Sequence, residues 1–105
     1  MLYPKPTYKR HRVRVQKIVL QDTKTCYVTG RTDVEEHHCI YGKNRKLADK
    51  YGLTVWLVAE YHTGEHGGHN GNLILDTELK QLAQREFEKV YGHDRWMNEF
   101  GRDYL

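Results

Sequence analysis

A chain of 105 residues is long enough for one domain with a modest core. Charged residues make up 30% of it, and no apolar run approaches the roughly 20 residues that a spanning helix needs, so a helical membrane protein is excluded and a cytoplasmic address is expected. The net charge of +3 hides an asymmetry: residues 1–30 hold seven Lys or Arg against the single acid Asp22, which makes that segment +6 and the remainder −3.

Residues 1–14 combine Pro4 and Pro6 with the basic run Lys9, Arg10, Arg12 and Arg14 and the interleaved Tyr3 and Tyr8. Prolines and clustered like charges oppose packing, so the segment reads as an extended or disordered arm. It opens without an apolar h-region, and no signal peptide is expected. Its cations suit a polyanion, because each neutralised phosphate releases counterions and steepens the salt dependence of binding. Its tyrosines could stack on unpaired bases. Residues 13–20 (VRVQKIVL) begin with alternation and end apolar, which fits a strand or a short helix equally.

Residues 21–25 read as a polar turn. The C-Y-V-T-G that follows, from Cys26 to Gly30, resembles half of a zinc knuckle, with Thr29 where the second thiol would stand. Cys26 and Cys39 are the only cysteines, which excludes a four-cysteine zinc site and favours free thiols in a reducing compartment.

Residues 34–40 (VEEHHCI) read as a strand that ends at Tyr41-Gly42. Residues 44–51 (NRKLADKY) predict a short helix, with Asn44 as N-cap and Gly52 as terminator. The β-branched and aromatic run at 53–58 (LTVWLV) predicts a second strand. Residues 59–63 begin another helix with His62 on its first turns, and Gly64, Gly67, Gly68 and Gly71 then point to a loop. Asp76 predicts the N-cap of a helix over 77–91, whose apolar face is Leu79, Leu82, Ala83, Phe87 and Val90. Gly92 ends it, and Asp94 caps a last helix carrying Trp96, Met97 and Phe100. The expected class is α+β: one small domain over 15–105 behind the arm, without repeats or internal linkers.

Five of the seven histidines, His37, His38, His62, His66 and His69, fall within residues 35–70. Imidazole both ligates divalent metals and moves protons near neutral pH. Adjacent side chains of a regular strand point to opposite faces, so His37 and His38 share a site only where the strand ends or kinks. Gly42, soon afterwards, allows such a kink. If the pair converges, one ring can bind a metal while its neighbour takes a proton from water, and His62 supplies a second ligand from the opposing helix.

In order along the chain, C-Y-V-T-G, H-H-C-I-Y-G, N-R, Y-G-L, L-V-A-E-Y-H and H-N resemble the HNH endonucleases of the ββα-metal (His-Me finger) superfamily, in particular its small phage and prophage members. The basic Y-P-K-P arm and the F-G-R-D-Y-L ending are also similar to that group, so the resemblance covers nearly the whole chain. The paired histidines with the downstream histidine are its specific part. The resemblance implies a ββα-metal core over about 34–70, C-terminal helices over about 76–104, and a metal-dependent endonuclease that hydrolyses DNA phosphodiester bonds. It implies one divalent ion, with Mg, Mn, Zn and Ni all open.

Residue by residue, the resemblance implies His37 as a metal ligand, His38 as general base and His62 as the downstream metal ligand. His69 would complete the metal site or contact phosphate, and His66 has no counterpart. Lys43 and Arg45, with the arm's Lys9, Arg10, Arg12 and Arg14, would hold the DNA backbone with little sequence reading. The chain departs from the pattern at three places. The middle Asn that orients the base has no secure match, since Gly52-Leu53 stands near its place and Asn44 lies too early. Thr29 and Val58 stand where relatives often carry cysteine, so no accessory structural zinc is expected. Tyr61 replaces a common histidine, which leaves His62 as the ligand. Cutting both strands of a duplex would take two visits or a homodimer.

The rival reading is a structural site, with His37, His62 and His69 joined by Cys39 or Cys26 around zinc in a DNA-binding module that cuts nothing, or an inactive relative of the nucleases. A basic RNA-binding or ribosome-associated protein would rest on the arm alone and leave the clustered histidines unexplained.

Overall fold

Two short strands, β1 (Val34–His38) and β2 (Thr54–Val58), pair antiparallel, from Val34 opposite Val58 to His38 opposite Thr54. They belong to a computed structural model that describes residues 15–64 and 72–105. Lys9, Arg10, Arg12, Arg14, His66, His69, Gly67, Gly68 and Gly71, and every expectation resting on them, lie outside the described residues. Alternation buries His37, Val55 and Leu57 on one face of the hairpin and leaves Glu36, His38, Thr54 and Trp56 on the other. Between the strands, a 3-10 turn at Gly42–Asn44 leads into α1 (Arg45–Tyr51). The second strand runs directly into α2 (Ala59–His62), and α3 (Leu73–Tyr91) and α4 (His93–Phe100) complete an α+β fold.

Residues 15–20 form neither of the elements their pattern allowed; they cross the domain as a strap. Ile18 is buried and its amide donates to the Tyr51 carbonyl at 2.8 Å, at the end of α1. The aromatic core lies beneath that point. Tyr51 meets Phe87 edge-on with ring centroids 4.9 Å apart, and Trp96 stacks on Phe100 at 4.2 Å. Buried Gln84 of α3 ties down the chain end, accepting from the Tyr104 amide at 2.6 Å and donating to Asp103 at 2.8 Å.

Several boundaries differ from the sequence-based expectation, each for a local reason. The long helix begins at Leu73 because the Asn72 side chain caps it, accepting from the Leu75 amide at 3.1 Å. Asp76 therefore sits inside the first turn, where it accepts from the Tyr41 hydroxyl at 2.7 Å and pairs with Lys80 at 2.8 Å. Val90 is exposed and takes no part in the apolar face. Asp94 likewise falls inside the first turn of α4, with Gly92 at the capping position. Asn44 precedes α1 without a side-chain cap bond. Among the described residues no helix is long and apolar enough to cross a membrane.

The Cys26 turn closes through the Gly30 amide, which donates to the Cys26 carbonyl at 2.8 Å. The Cys26 sulfur accepts from the amides of Thr29 and Val58, each at 3.4 Å. Burial pushes this thiol up, but the Thr29 side chain and the amides of Val58, Thr29 and Val28 outweigh it, and the net shift is downward. The sulfur thus ties the turn to the end of β2. Replacing Cys26 by Ala removes that acceptor for two amides and leaves a small void, so we expect a loss of about 2–3 kcal/mol, read as a lower urea midpoint at unchanged slope.

Candidate functional site

The sequence E-E-H-H places an acid two residues before each histidine on a period-two strand. Each face of β1 therefore receives one carboxylate and one imidazole: Glu35 with His37, and Glu36 with His38. The strand stays regular through His38, which pairs opposite Thr54. The kink that would turn both rings to one side is not there. Convergence of His37 and His38 on one side of the sheet is corrected accordingly: they belong to two clusters on opposite sides.

On the inner side, the His37 side chain is in the core at 1% exposure. The His62 ring, delivered by α2 directly after β2, meets it edge-on with centroids 5.3 Å apart and planes at 81°. A ring centroid lies roughly 3.2 Å from an ion bound at about 2.0–2.1 Å, so two imidazoles at a tetrahedral angle have centroids about 5.2 Å apart. The observed separation leaves room for a shared divalent ion and is also that of an ordinary edge-to-face ring contact. Nδ1 of His62 is held by Glu35 Oε1 at 2.7 Å, so His62 would reach an ion through Nε2. A carboxylate on the far nitrogen orients the ring and makes it a better donor, as metal-binding histidines commonly require. Tyr41 also approaches His37, with ring centroids 6.3 Å apart, and bridges to Asp76. Burial, then Asp76, pushes the Tyr41 phenol up, which keeps it a hydrogen-bond donor.

On the outer side, the His38 side chain is only 10% exposed, and its Nε2 lies 3.2 Å from Asp49 Oδ1. Asp49 comes from α1, the helix inserted between the strands. A cleft of about 300 Å³ opens here, lined by Glu36, His38, Arg45, Lys46 and Asp49. Among the described residues, one group of three ligand-type side chains converges, and it is Glu36, His38 and Asp49, with donor atoms within 4.8 Å of one another. Arg45 shares this cleft with His38, while Lys43 is exposed in the preceding turn.

The cysteines stand apart from this chemistry. Burial, reinforced by Asp76, pushes the Cys39 thiol far up, so without a metal it stays a protonated, inert thiol. Cys26 is engaged by the two amides described above. Sequence reasoning missed Glu35, Glu36, Asp49 and Lys46. The two glutamates carried a readable signal, the i, i+2 spacing to each histidine, whereas Asp49 and Lys46 reach the site only through the placement of α1. No protein-family model matches the chain, and neither the curated proteins nor the solved structures hold a match to it.

Proposed function

We propose that this chain is a metal-dependent endonuclease that hydrolyses DNA phosphodiester bonds, with β1, β2 and α2 as a ββα-metal core. The observation that carries the reading is the His37–His62 pair, two imidazoles from strand and helix at the spacing of co-ligands, with Glu35 behind one of them. His37 and His62 would hold the divalent ion; when bound, it supplies charge stabilisation to a phosphate oxygen and to the leaving oxygen. His38 takes a proton from the attacking water, and Asp49 stands in for the missing middle Asn by holding the ring through Nε2, which leaves Nδ1 as the proton acceptor. Arg45 and Lys46, at the mouth of the same cleft, hold the strand by its phosphates.

A base and an ion on opposite sides of β1 are compatible with this chemistry. In-line displacement puts the nucleophile and the leaving group on opposite sides of phosphorus, which separates base and ion by roughly 7–9 Å. His38 closes β1, and the reading requires a phosphate at that strand end to be addressed from both sides. Incubation of supercoiled plasmid with Mg²⁺, Mn²⁺, Zn²⁺ or Ni²⁺ tests the reading. Nicked circles are expected with at least one of these ions and none in EDTA.

One observation favours a second reading, a zinc-stabilised DNA-binding module without activity. At 1% exposure His37 is covered as a structural ligand would be. Metal that raises the melting temperature while plasmid stays intact under every condition would select this module over the nuclease.

A further inference from the structure

We infer that Glu36, His38 and Asp49 form a second divalent-cation site, on the outer face of β1, and that a first-row transition ion bound there switches the enzyme off. The inhibitory half rests on the nuclease reading; the binding half does not. The three donor atoms lie within 4.8 Å of one another, and His38 Nε2 is already 3.2 Å from Asp49 Oδ1. Donors bound to one ion at about 2.0–2.2 Å sit roughly 3.0–3.5 Å apart, for octahedral and tetrahedral angles respectively. The His38–Asp49 pair has that spacing before any ion arrives. Glu36 and Asp49 are exposed and need only rotate to close the third side, while the nine-tenths covered His38 ring provides the fixed corner.

The donor set decides the kind of ion. One imidazole with two carboxylates suits Mn²⁺, Ni²⁺ or Zn²⁺, whereas Mg²⁺ demands oxygen ligands and retains its water. Arg45 and Lys46 line the same cleft and oppose a cation, so the site fills when transition metal is in excess. Once His38 Nε2 is a ligand, the neutral ring carries its one proton on Nδ1, so no nitrogen is left to accept a proton from water and the base is lost. Activity supported by the activating ion therefore falls as excess Zn²⁺ is added.

Glu36→Gln tests this site because the nuclease reading gives Glu36 no chemical role; since it lines the same cleft as His38, inhibition is read relative to each protein's own Zn²⁺-free rate. Two measurements are made on wild type and Glu36→Gln. Calorimetric titration with Zn²⁺ is expected to show one fewer ion, or an at least tenfold weaker ion, in the variant, and ¹⁵N spectra are expected to show the His38 imidazole shifting with Zn²⁺ in wild type. Nicking at a fixed, saturating concentration of the ion that best supports cutting is expected to need at least tenfold more added Zn²⁺ for half-inhibition in Glu36→Gln. Coincident Zn²⁺ isotherms with an unmoved His38 signal overturn the site. Equal half-inhibition despite altered binding overturns the inhibitory role. A protein that cuts nothing under any metal removes the nuclease reading and the inhibition together, and the isotherms still decide the site.

Discussion

Alanine at position 38 is expected to slow plasmid nicking by about 10²–10⁴-fold, the usual contribution of a positioned general base. The ring it removes is held by Asp49 at 3.2 Å at the end of β1, outside the aromatic core. The fold should therefore persist, with circular dichroism and the unfolding midpoint close to wild type. Binding of the activating ion should also persist, because His37 and His62 lie on the other side of the strand. Single-turnover nicking, at metal concentrations that saturate both proteins, separates chemistry from binding. Partial recovery in the presence of free imidazole would support a lost proton acceptor. A rate within a few-fold of wild type would remove His38 from the mechanism.

Substituting Gly52 with alanine is expected to destabilise the fold by about 2–5 kcal/mol, the sum of a left-handed backbone penalty and an overpacked contact. Gly52 ends α1 at φ 79°, and its amide closes the helix onto the carbonyls of Ala48 and Asp49. A Cβ there would stand 2.4 Å from the Ile18 carbonyl oxygen and 3.1 Å from the Ile18 nitrogen. Both are backbone atoms of the strap that hydrogen-bonds to Tyr51, so neither can swing aside. The strap must lift, exposing Ile18 and loosening the helix that carries Asp49, Arg45 and Lys46. Chemical denaturation reads the loss directly, and a wild-type midpoint would mean that the close approach of strap and helix end is not maintained in solution.

Much of the α+β scaffold was legible because its elements carry strong local signals. The β-branched run of β2, the glycine after α1 and the apolar spacing of α3 each announce their element. Boundaries failed where two capping residues compete. Asn72 and Asp76 both suit an N-cap, and the apolar letters between them are divided: Leu73 and Ile74 are 71% and 83% exposed, whereas Leu75 is buried in the core. At the site, the histidines were visible by type, and strand alternation already warned that adjacent ones separate. The partners were harder to see. Glu35 reaches His62 across 27 positions of chain, and Asp49 reaches His38 through a helix whose placement depends on the Gly52 contact. Spacing along the chain cannot encode such tertiary neighbours.

The central claim is that one phosphodiester is addressed by the ion on His37 and His62 and by the His38 ring from the far side of the strand end. A crystal structure with Mn²⁺ and a cleavage-resistant phosphorothioate oligonucleotide tests it most directly. The account predicts both imidazoles on the ion, the ion on a non-bridging or leaving oxygen, and His38 within hydrogen-bond reach of a water in line with the same phosphorus. An ion on His37 and His62 that is sealed from the oligonucleotide, with His38 remote from any phosphate, would contradict it.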